Sequence, residues 1–60
     1  MLTFQMHDVV EFLDHKFVVV AEFVNLKGEA HYVLETGEGR LQVRSQLYAS
    51  TRFKLIERGT

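Results

Sequence analysis

Residues 16–24 read KFVVVAEFV, seven apolar residues in nine. A sheet with one wet face alternates apolar with polar side chains. This stretch does not, so both of its sides need cover. Residues 17, 19, 21 and 23 (Phe, Val, Ala, Phe) form one row, and Val18, Val20 and Val24 form the other, with Glu22 among them. β-branched and aromatic residues at this density mark a strand. The fold turns on which row is inside.

The chain has 60 residues, enough for a single domain over 1–60. A domain of that size buries only about 60% of its unfolded surface. Small domains commonly add disulfides, a metal or a partner subunit. Cysteine is absent, which leaves no disulfide or thiolate site. Composition is that of a folded protein, 47% hydrophobic and 25% charged. No apolar run approaches the roughly 20 residues of a membrane-spanning helix. The opening MLTFQMHD lacks the features of a secretory leader. A cytoplasmic location and no membrane partner are the expectation.

Working outward, strands are expected at DVVEFL (8–13), FVVVAEFV (17–24), AHYVLE (30–35), RLQVR (40–44) and TRFKLIE (51–57). LDHK (13–16) makes a tight turn, NLKGE (25–29) a loop, and TGEG (36–39) a hairpin connection whose glycines accept positive φ. SQLYAS (45–50) breaks the alternation and reads as a short helical turn capped by Ser45, with Leu47 inward. Leu2, Phe4 and Met6 share a side of the first six residues, which adds an N-terminal strand.

The predicted class is all-β. Five short strands, with a helical turn just before the last, resemble the SH3-like small barrel shared by SH3, Tudor and KOW modules. The resemblance covers about residues 7–57 and carries fold rather than function. In such barrels the long strand bends and belongs to both sides, which accounts for its continuous apolar run.

A barrel this small holds about eight to ten large side chains. Val10, Phe12, Val18, Val20, Tyr32, Leu34, Leu41, Val43, Leu47 and Leu55 fill that count. The surplus includes Leu2, Phe4, Val9, Leu13, Phe17, Val19, Phe23, Val33, Phe53 and Ile56. Such a surplus implies a face covered by a protein partner, the chain itself in the first instance. The expected anchors are Phe4, Phe17, Val19 and Phe23. The leading function is therefore a non-catalytic protein-interaction module that self-associates as a dimer or higher oligomer.

Little in the sequence nominates chemistry. His7, His15 and His31 lack ligand spacing and read as surface residues, so no metal is assigned. Gly37-Glu38-Gly39 is followed by a strand rather than a helix, and Glu38 repels anions, so it reads as a turn and not a phosphate cradle. Ser45, Ser50, Thr36 and Thr51 have no nucleophile motif around them. No catalytic residue and no cofactor are assigned. Leu41-Gln42-Val43-Arg44, following Tyr32-Val33-Leu34-Glu35, resembles the pore strand of the plasmid-borne type II dihydrofolate reductases. That likeness implies an oligomeric pore enzyme as one alternative. Arg44 stands where the family has tyrosine, and DVVEFL has no lysine, so shared fold explains the likeness better than shared chemistry.

The other alternative is nucleic acid. Net charge is −1, but residues 1–30 carry five acidic and two basic side chains while 31–60 carry three acidic and five basic. Arg40, Arg44, Arg52 and Lys54, interleaved with Tyr48, supply phosphate-pairing and base-stacking groups. The plainer reading is a solvated exterior with inter-strand ion pairs to Glu35 and Glu57.

Overall fold

The computed structural model describes residues 4–59. Strands β1 (Val9–Phe12), β2 (His15–Val24), β3 (Ala30–Thr36), β4 (Leu41–Ser45) and β5 (Lys54–Glu57) form one antiparallel sheet in the order β4-β3-β2-β1-β5. A single helix, α1 (Gln46–Arg52), precedes β5. The sheet is open, with β4 and β5 at its edges. Each expected strand is present within a few residues. Leu2, from the expected N-terminal strand, lies outside the described residues, and Phe4–Asp8 runs as non-strand chain.

The connections follow local chemistry. Phe12 pairs with His15, leaving a two-residue turn at Leu13 and Asp14, with φ of 51° and 65°. Two positive φ values define the type I′ turn whose twist suits a hairpin. The Asn25 side-chain carbonyl accepts the amides of Lys27 and Glu29 and closes the β2–β3 loop. Between β3 and β4, Thr36 Oγ1 accepts the amides of Glu38 and Arg40, and Gly39 adopts φ 85°. Ser45 caps α1, its Oγ accepting the Tyr48 amide at 3.1 Å.

One irregularity decides the packing. The β2–β3 register runs Val19 to Leu34, then Ala21 to Val33, so Val20 is bulged. A single extra residue flips every later side chain to the other face. The row 17, 19, 21, 23 is therefore split: Phe17 and Val19 point inward, while Ala21 and Phe23 point outward.

The core is Phe4, Val10, Phe17, Val19, Tyr32, Leu34, Ala49 and Phe53, with Phe12 and Leu55 against it. Phe53 sits 5.2 Å from Phe12 and 5.3 Å from Phe17, ring centre to ring centre. Phe4 donates its amide to the Tyr32 hydroxyl at 2.9 Å. Several sequence expectations are corrected here. Phe4, Phe17 and Val19, expected as outward anchors, are buried. Val18 and Val20, expected inside, are only half-buried, and Leu41, Val43 and Leu47 are exposed. The I′ turn sets Val10 opposite Phe17, which turns Phe17 and Val19, before the bulge, inward. The β3–β4 hairpin sets Leu34 opposite Gln42, which turns Leu41 and Val43 out. In α1 the inward residue is Ala49 rather than Leu47.

A second fixed point joins the chain ends. Asp8 is fully buried, and its carboxylate accepts the Gln5 amide at 2.8 Å, the Gly59 amide at 2.7 Å and Arg58 Nη1 at 2.9 Å. Among the described residues this is the only ion pair, so the inter-strand pairs expected at Glu35 and Glu57 are not formed.

Candidate functional site

The inner side of β3 and β4 is covered by α1 and by Phe4, through Ala49 and Tyr32. The opposite side is more open: of the nine positions on it, three are exposed and six half-buried. Register fixes its composition as three rows across β2, β3 and β4. Phe23, His31 and Ser45 form the first row, Ala21, Val33 and Val43 the second, and Val18, Glu35 and Leu41 the third. Leu41 is 63% exposed, Val43 48% and Phe23 42%. Six of the nine positions are apolar. Val33 is at the centre.

The two ionisable residues lie at opposite ends of the central column. The His31 ring stacks on Phe23 at 5.2 Å with planes 12° apart. Its Nδ1 lies 3.0 Å from the Glu29 carbonyl, an acceptor, so Nδ1 carries the proton and Nε2 faces away. Glu35 is half-buried between Val18 and Leu41, and its carboxylate has no hydrogen bond or ion pair among the described residues. His31 and Glu35 are four residues apart on one strand, about 13 Å, too far to pair with each other.

The free edge of β4 is less available than this face. Thr36 donates its amide to the Arg40 carbonyl, which makes that position a hydrogen-bonded pair. Alternation then turns the backbone groups of Leu41 and Val43 toward the open edge. There the Val43 carbonyl accepts Arg44 Nη1 at 2.8 Å. The arginine side chain thus blunts the edge against an added strand.

Of the expected anchors, only Phe23 belongs to the exposed face. Of its other members, the sequence expectation places Leu41 and Val43 inside and leaves Val33 in the apolar surplus. The signal that would have found them is the leucine–glutamine register of the β3–β4 hairpin, which puts the apolar residues of RLQVR outside.

The basic residues separate into three places. Arg44 and Arg52 meet at Tyr48, with guanidinium carbons 5.9 and 5.1 Å from the ring centre. Arg40 lies at the β3–β4 hairpin, and Lys54 lies on β5 opposite Glu11. They do not form a single basic face. A hollow of about 660 Å³ lies between the β1–β2 turn and the β3–β4 hairpin. Lys16 and Arg40 on its walls are balanced by Asp14 and Glu38, so it has no charge preference. No three His, Asp or Glu side chains among the described residues converge as a metal site. No helix among them is long and apolar enough to cross a membrane.

No family model matches the chain, and no curated protein or solved structure matches it either.

Proposed function

We propose that this chain is a non-catalytic interaction module that associates with another copy of itself through the outer face of β2, β3 and β4. One observation carries the reading: Ala21, Phe23, Val33, Leu41 and Val43 lie side by side on one sheet face, with Phe23, Leu41 and Val43 exposed. Covering such a face removes apolar surface from water at about 25 cal/mol per Å². We read the scaffold as an SH3-like small barrel. The strand order, the bulge that bends β2 and the helix before β5 support that reading.

The test is the solution mass as a function of concentration. Association should be present in the unaltered chain and lost in Val43→Glu, with the β-sheet circular dichroism spectrum unchanged. A chain that stays monomeric at millimolar concentration would overturn the proposal.

Nucleic-acid binding is the second reading. The cluster of Arg44, Tyr48 and Arg52 favours it by setting two guanidinium groups around one aromatic ring. Arg40 and Lys54 lie outside that cluster, which limits the charge it gathers. A salt series separates the readings. Phosphate contacts weaken steeply with salt, whereas an apolar interface persists. The reductase-type alternative is tested by titration with folate or nicotinamide nucleotide.

A further inference from the structure

We infer that two copies pack face to face about a two-fold axis that runs across the strands over Val33, so that His31 of each copy meets Glu35 of the other. The inference rests on the self-association reading above and specifies its geometry.

The nine outer positions form a rectangular lattice, about 4.8 Å across the strands and about 6.8 Å along them, with Val33 at its centre. Closed homodimers use a two-fold axis, so the same patch must serve both copies. Of the two-fold axes that can lie in the interface over Val33, two superpose the rows and columns of one copy on those of the other: the one along the strands and the one across them. An axis along β3 keeps the rows and exchanges β2 with β4. It sets Glu35 on Glu35 and His31 on His31. An axis across the strands keeps the columns and exchanges the first and third rows. It sets His31 on Glu35 twice, Phe23 on Val18 twice, and Val33 and Val43 on their own counterparts.

Charge chooses between them. Glu35 is half-buried as a residue on an apolar face, and its carboxylate lacks a cation among the described residues of its own chain. Stacking two such carboxylates in a closing interface costs free energy, and setting each against an imidazolium offsets it. The His31 ring is already oriented for the task. Phe23 holds it flat, Nδ1–H is committed to the Glu29 carbonyl, and the imidazolium form offers Nε2–H outward. Packed sheets lie about 10 Å apart, a gap that His and Glu side chains bridge together. The Arg44 guanidinium on the Val43 carbonyl disfavours the edge-to-edge alternative.

The face is small. Three strands at about 4.8 Å spacing and five residues of length make a footprint of roughly 14 by 17 Å. Stable complexes bury about 800 Å² per partner. That footprint, roughly 240 Å², is under a third of this area, so the dimer is weak.

The experiment is sedimentation equilibrium from about 10 μM to 1 mM on four chains: unaltered, His31→Glu, Glu35→Lys and the double variant. Each single change should weaken the dimer at least tenfold. The double variant should return to within about threefold of the unaltered chain. Only the cross-strand axis sets its new carboxylate, at position 31, against the new ammonium at position 35 of the other copy. A double variant weaker than both singles, or singles that change nothing, overturns this arrangement while leaving self-association standing. An unaltered chain that stays monomeric overturns the reading beneath it. Should a variant fail to fold, a mixed-isotope NMR sample of the unaltered chain gives the same decision. Intermolecular contacts from the His31 ring to the Glu35 methylenes are expected, and contacts from His31 to His31 instead would refute the axis.

Discussion

Replacing Asp8 by Ala removes the acceptor that ties the two ends of the chain together. The Asp8 carboxylate accepts the amides of Gln5 and Gly59 and the Arg58 guanidinium, all within 2.9 Å. Arg58 is 37% exposed, so its charge regains water and adds little to the cost. The two amides are part-buried, and each left without a partner costs about 1–3 kcal/mol. The sum is about 2–6 kcal/mol. A 60-residue domain has roughly 3–9 kcal/mol in total. Asp8→Ala should therefore be largely unfolded or melt at least about 8 °C lower, at roughly 4–8 °C per kcal/mol. Asp8→Asn is the sharper probe because its shape is unchanged. Its oxygen can still serve Gly59, but its amide then faces the Gln5 N–H and Arg58, donor against donor. A loss of about 2–3 kcal/mol is expected, read by urea titration followed by circular dichroism. An Asp8→Asn chain within about 0.5 kcal/mol of the original, the scatter of an ordinary surface substitution, would refute the claim that this carboxylate anchors both termini.

Three further outcomes test other parts of the structure. Leu13→Asn with Asp14→Gly puts the preferred residues into a turn that now holds two side chains at positive φ, and should raise stability by about 1–2 kcal/mol on thermal melting. Gly59→Ala places a methyl group onto the His7 carbonyl, which is backbone and cannot swing aside; a loss of about 1–3 kcal/mol should appear in the same melt. Val19→Glu puts a carboxylate into the fully buried core and should abolish folding, whereas Phe23→Glu, further along the same strand, should leave the far-ultraviolet spectrum intact and remove association.

The strands, their order of appearance and the position of the helix were legible because each rests on short-range chemistry. Gly39 at its turn, Ser45 at its cap and the alternation in RLQVR all act within a few residues. Facing was harder to read. Inside and outside in β2 depend on where one residue, Val20, is skipped in pairing with β3, and nothing in KFVVVAEFV distinguishes one valine of the run as the bulge. That single step, with the phase set by the β1–β2 turn, puts Phe17 and Val19 in the core and leaves Phe23 outside. In β4 the alternation is plain in RLQVR, but its phase is set across the hairpin by Leu34 opposite Gln42. The apolar surplus was therefore visible in the composition, while its address on the surface was not. Phe4 illustrates the same limit: its partner, the Tyr32 hydroxyl, is 28 residues away.

The most direct measurement is sedimentation equilibrium of the unaltered chain beside Val43→Glu, both at concentrations up to about 1 mM, the range in which a weak dimer becomes populated. Mass rising from one copy toward two with increasing concentration, in the first chain and not in the second, is the predicted result. A single-copy mass throughout for the unaltered chain, or equal association by both, would contradict the assignment of the β2–β4 face as a docking surface.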